Sequence, residues 1–150
     1  MPDVVKPGDI FTTGFGYLSL DKFAQRLLQY DIKAVVDCRK EAYERYQEHY
    51  HAAKLAEALQ TIHIRYVHVP GLHDKNSPTF EADIKRLGPT ADNYRVCLID
   101  KELSPRDSVR AKVASHWILE NTDRNIHHIV SAGVLSGRGL NAQLIKEKRV

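Results

Sequence analysis

Short apolar runs rich in β-branched residues alternate along the chain with longer stretches whose apolar positions recur every three or four residues. The short runs are Ile10-Phe11-Thr12-Thr13, Ala34-Val35-Val36, Ile64 to Val69, Val96 to Ile99 and Ile126 to Val130. They predict about five strands. Behind the first run, Leu20, Phe23, Leu27 and Leu28 keep helical spacing after Ser19, a residue suited to an N-cap, with Asp21 in the first turn. A second helical stretch carries Leu55, Ala58, Leu59 and Ile62, a third runs about Phe80 to Leu87, and a fourth carries Val109, Val113, Trp117 and Ile118. Ser104-Pro105-Arg106-Asp107 announces the fourth, with Ser at the cap, Pro at the first helical position and an acid three residues after the cap. Strands alternating with helices imply βαβ units with right-handed crossovers. The predicted fold is therefore α/β, a three-layer αβα sandwich around a mostly parallel sheet.

Composition adds limits. A length of 150 residues suits a single α/β domain over 1–150, and neither an internal repeat nor a flexible linker divides it. A hydrophobic fraction of 43% and a charged fraction of 27% are globular values that exclude disorder. No apolar run approaches the roughly 20 residues of a spanning helix. The opening Met1-Pro2-Asp3-Val4-Val5-Lys6 lacks the apolar stretch of a signal peptide, so a cytoplasmic protein with no membrane partner is expected. Cys38 and Cys97, far apart and each inside an apolar stretch, fit packed thiols better than a disulfide or a metal knuckle. A net charge of +3 permits an anionic partner without marking an obligate nucleic-acid binder.

In open parallel sheets ligands bind beyond the carboxyl ends of the strands, and that rule selects the candidate residues. After the first strand, Thr12-Thr13-Gly14-Phe15-Gly16 leads into a helix; the two glycines fit either a phosphate cradle or a plain tight turn, and the plain turn is favoured. After the second, Asp37-Cys38-Arg39-Lys40 brings a carboxylate and a guanidinium to the rim, where Arg39 suits phosphate or carboxylate. Asp37 there orients Arg39, holds a hydroxyl, or pairs structurally with a cation. After the third, His73 follows Val69-Pro70-Gly71-Leu72 at a place fit for an acid–base or ligand-donor residue. After the fourth come Asp100 and Glu102, with Arg110 further along the helix; the acids activate water, bind a ligand, or are solvated loop charges. The remaining histidines give no convergent set, so no metal site is expected, and no cofactor is assigned. Tyr43, Tyr46 and Tyr50 have the spacing of one helix face, for packing rather than base stacking.

Val35-Val36-Asp37-Cys38-Arg39-Lys40-Glu41-Ala42-Tyr43 superficially resembles an early strand and loop of rhodanese domains. The nucleophile loop of Cys, five residues, then Arg is absent, because Glu44 stands at the arginine position. A wider resemblance runs from Ile10 to about Val130. Thr12-Thr13-Gly14-Phe15-Gly16, Ser19-Leu20-Asp21-Lys22-Phe23, Asp37 with Arg39, Leu55-Ala56-Glu57-Ala58-Leu59, and Ile64-Arg65-Tyr66-Val67-His68-Val69-Pro70 follow one another in the order of the family called domain of unknown function 488. The chain resembles that family as a divergent member. The family's Cys-x-Glu is here Asp100-Lys101-Glu102, its Cys-His-Arg is Ser108-Val109-Arg110, and the histidine of its opening motif is Phe15. The resemblance implies the fold, and Thr12, Gly14, Asp37, Arg39, Glu102 and Arg110 as the retained pattern, but no reaction.

The combined expectation is binding or processing of a phosphate-bearing ligand, a nucleotide or nucleic acid. Asp37 or Glu102 would handle a proton, and Thr12, Gly14, Gly16, Arg39, His73, Asp100 and Arg110 would bind. The alternative is a non-catalytic binding or partner module that has lost the family's reactive residues. Whether the chain is an enzyme stays open.

Overall fold

The computed structural model describes residues 4–150; residues 1–3 of the opening segment lie outside it. Five strands, β1 (Ile10–Gly14), β2 (Ala34–Asp37), β3 (Arg65–His68), β4 (Val96–Asp100) and β5 (Ile126–Val130), run parallel in the order β3-β2-β4-β1-β5. A sixth, β6 (Gly133–Ser136), folds back antiparallel on β5. Its four half-exposed residues form no apolar run, which is why the sequence pattern passes over it.

Alternation along each strand sorts the core. Phe11, Val35, Cys97, Ile99 and Ile129 face α1 (Leu20–Gln29) and α2 (Ala52–Gln60). Ile10, Val36, Leu98 and Ile126 face the other layer, α3 (Phe80–Asn93) and α4 (His116–Asn121). Helix α5 (Gly137–Lys146) sets Leu140 and Leu144 against Ala111. The fold is thus the expected α/β sandwich with a mostly parallel sheet. The chain leaves β1 and β2 toward one face and β4 toward the other, so crevices open on both sides of the end of β4.

Three local expectations change. Ser104 caps nothing: Pro105–Asp107 is an isolated 3₁₀ turn, and the helix starts after Ser108, whose Oγ accepts the Ala111 amide at 3.2 Å. Its first turn, Arg110–Ser115, is a π turn in which the His116 amide reaches the Ala111 carbonyl five residues back. The third helix continues past Gly88-Pro89 to Asn93 because Ala91 is buried against the sheet. Tyr43 and Tyr46 do not share a helix face with Tyr50; they lie in the loop after β2, 58% and 85% exposed, while Tyr50 is buried. Among the described residues no helix is long and apolar enough to cross a membrane.

Candidate functional site

At the end of β2 the chain turns so that Arg39 folds back onto Asp37. The Arg39 amide and Nε both donate to Asp37 Oδ1, at 3.1 and 3.0 Å, and Nη2 donates to Oδ2 at 2.7 Å. The hydroxyl of Tyr66, on neighbouring β3, donates to the same Oδ2 at 2.6 Å. Nη2 also donates to the Tyr50 carbonyl at 2.7 Å, and the guanidinium lies 5.0 Å above the Phe15 ring. Asp37 is fully buried, so this pairing satisfies a carboxylate that water cannot reach. Burial, helped by the bond to Asp37, pushes the Tyr66 hydroxyl pKa up, keeping it a donor. The remaining guanidinium nitrogen, Nη1, has Glu44 Oε1 at 3.5 Å.

At the end of β4 a second pair forms over a longer span of chain. The Arg110 amide donates to Asp100 Oδ2 at 3.1 Å and its Nη1 to Oδ1. Nη1 also donates to the Glu102 carbonyl, Nη2 to the Leu103 carbonyl at 3.4 Å, and Nε to Thr12 Oγ1 at 3.1 Å. Thr12 Oγ1 in turn contacts His128 Nδ1 at 2.5 Å across the β1–β5 register. Burial, together with the positive charge of Arg110, drives the His128 pKa down to about 3, so its ring is neutral. Arg110 is fully buried: it clamps the loop after β4 to the sheet.

The glycine turn belongs to the same clamp. A Cβ on Gly14 would stand 1.8 Å from the Glu102 carbonyl oxygen, so the two loops approach more closely than any side chain permits. The Phe15 and Gly16 amides donate to the Asp100 and Lys101 carbonyls at 3.1 and 2.8 Å, which spends the donors a phosphate cradle needs. At Gly16 φ is +48°, the left-handed region.

Above these clamps lies a cleft of about 480 Å³ between the ends of β2 and β4. Arg39, Lys40, Glu44, His73, Lys101 and Glu102 are among its lining, with Asp100 at its floor. Lys101 Nζ is 3.4 Å from Glu44 Oε2 and 5.0 Å from the Tyr17 ring centroid. His73 reaches the cleft from the 3₁₀ turn Pro70–His73 that follows β3. The structure therefore brings Arg39, His73, Asp100 and Glu102 together. Thr12 and Arg110 lie under the site, Asp37 lies behind Arg39, and Gly14 and Gly16 hold the loop interface. Cys38 is buried, and burial together with Asp100 and Asp37 raises its pKa well above the usual thiol value, which removes it as a nucleophile. Among the described residues no group of three or more His, Cys, Asp or Glu is placed to hold a metal ion.

The family model described as Domain of unknown function DUF488 matches residues 19–102, more than half of the chain. The chain belongs to that family. The DUF488 match runs from the cap of α1 to Glu102, so it takes in both ends of the cleft but not Arg110 or His128. No curated protein and no solved structure matches the chain. Sequence reasoning missed Glu44, Tyr66 and His128. Glu44 sits in a loop, and Tyr66 sits on an edge strand inside the Ile64 to Pro70 segment, where it read only as part of a strand. His127-His128 inside a strand pattern was the available signal, since a polar residue on a strand buried on both faces needs a partner.

Proposed function

We propose that this DUF488 chain binds a phosphate-bearing ligand, a nucleotide or a nucleic-acid segment, in the cleft between the ends of β2 and β4. The observation that carries the reading is Arg39. One edge of its guanidinium is pinned by Asp37 and the Tyr50 carbonyl, while Nη1 stands at a cleft also lined by Lys40, Lys101 and His73. A pre-oriented guanidinium loses little entropy on meeting an anion. We assign contact with the ligand to Arg39, Lys40, His73 and Lys101, and proton handling to Glu102. Asp37, Asp100, Arg110 and Thr12 are positioning residues.

The test is a thermal-shift screen against nucleotides, inorganic phosphate and short oligonucleotides, repeated with Lys40→Ala and Lys101→Ala. These variants are chosen because Arg39→Ala would strand the buried Asp37. Ligand at about 100 times its Kd stabilises the folded state by about 2.7 kcal/mol, so a rise in Tm is expected, reduced in both variants. An equal rise in the variants, or none with any compound, overturns the reading. In the second case the partner module gains, with the 81% exposed Tyr17 and 85% exposed Tyr46 as its aromatic contact surface.

A further inference from the structure

A second cleft, of about 440 Å³, lies on the other side of the π turn. Val109 and His73 line the first cleft, whereas Lys112, Val113, Asp74 and Lys75 line this one. Phe80, buried in the core, and the half-buried Trp117, packed against the same core cluster, are on its lining. Lys75, Lys112 and Lys148 surround it, and none of the three has an ion-pair partner among the described residues. Asp74, whose Oδ1 accepts the Asn76 amide at 2.9 Å, adds one negative charge to the lining, and Arg149 pairs with Asp107 at 2.8 Å.

The orientation of His116 adds an acceptor. Asn141 Nδ2 donates to Glu120 Oε1 at 3.1 Å, so the Asn141 oxygen is the atom facing His116 Nδ1 at 2.8 Å. An amide oxygen only accepts, so the proton of the neutral ring sits on Nδ1 and the lone pair on Nε2. The chain Glu120–Asn141–His116 thus fixes one tautomer on the lining of a cleft that also holds Trp117 and several cationic side chains.

We propose that this cleft, formed by Phe80, Trp117, Lys75, Lys112 and His116, is a second ligand site that takes a nucleoside monophosphate. The base stacks on Trp117, the lysines meet the phosphate, and a ribose hydroxyl donates to His116 Nε2. Stacking on an aromatic ring accepts any base, and ammonium groups meet phosphate as point charges, so the site selects a class rather than one nucleotide. The volume suits a ligand of that size. This site goes beyond the reading of the first cleft and shares no lining residue with it.

Trp117 is the chain's single tryptophan, so its emission, excited selectively over that of the seven tyrosines, reports on this cleft. Purified protein is titrated with AMP, adenosine and inorganic phosphate, in the wild type and in Lys112→Ala, His116→Ala and Lys101→Ala. AMP is expected to quench the emission saturably, with adenosine and phosphate each binding at least about tenfold more weakly, since each supplies half of the contacts. Lys112→Ala raises the Kd for AMP about tenfold and His116→Ala raises it less, while Lys101→Ala, in the first cleft, leaves it unchanged. Emission that never saturates, or a Kd untouched by Lys112→Ala, overturns the proposal. Equal quenching by a polyglutamate peptide does so too, because the site would then select charge alone. A Kd that moves with Lys101→Ala instead places the nucleotide in the first cleft and overturns only the second.

Discussion

Two carboxylate–guanidinium pairs stand at the carboxyl ends of neighbouring strands, and they are built differently. Asp37 and Arg39 are separated by one residue and close within a single turn, leaving one guanidinium nitrogen at the cleft with Glu44 at 3.5 Å. Asp100 and Arg110 close across a loop and the start of a helix, and every nitrogen of Arg110 is spent on Asp100, Thr12 or the carbonyls of Glu102 and Leu103. The same chemical pair serves as a presenting group in one place and as a rivet in the other. What separates them is how many backbone and side-chain acceptors each guanidinium must satisfy.

The largest effect is expected where the rivet is removed. Arg110→Ala leaves Asp100 buried without its cation, and Thr12 and the loop carbonyls without their donor. It should lower the unfolding free energy by about 4 kcal/mol, measured by urea denaturation. Arg39→Ala should cost less, about 3 kcal/mol on the same measurement, because Asp37 keeps the Tyr66 hydroxyl and the amide of residue 39. Equal costs would erase the distinction between the two pairs.

Acid should expose the rivet's network as well. His128 is neutral in the folded chain with its pKa near 3, against 6.5 unfolded, so the unfolded state binds the extra proton between these values. The contribution of the neutral ring is complete above pH 6.5 and is lost as pH falls toward 3, at about 1.4 kcal/mol per pH unit. His128→Asn should flatten that slope in denaturation curves taken from pH 7 to pH 4. The smallest effect belongs to Tyr66→Phe, which deletes one of several donors to Asp37. A loss of about 1 kcal/mol is expected; a loss as large as that of Arg39→Ala would show that Tyr66, rather than Arg39, holds the carboxylate.

The difference between the pairs also decides what was legible in the sequence. Strands β1 to β5 follow from β-branched runs, and the layers from their alternation with helical periods, because both signals are local. The closeness of Asp37 to Arg39 is likewise local, and one of the readings offered for Asp37, a structural partner to a cation, describes its contacts. The role of Arg110 was not legible, since its partners come from β1, the end of β4 and the loop beyond, and no spacing announces a π turn. Gly14 and Gly16 suggested two readings that differ only in what approaches the backbone, and the loop carbonyls after β4 fill that place. His128 escaped because its partner, Thr12, lies on another strand.

The π turn over Arg110–Ser115 carries one residue more than an α-helical turn would, and because each residue of the wider turn covers less angle, that surplus is absorbed on the spot. Arg110 therefore still reaches Asp100 and Thr12 while α4 still packs against the sheet. The extra residue is one the helix can carry; the side chain of Arg110, which fastens the β4 loop, is the one it cannot exchange.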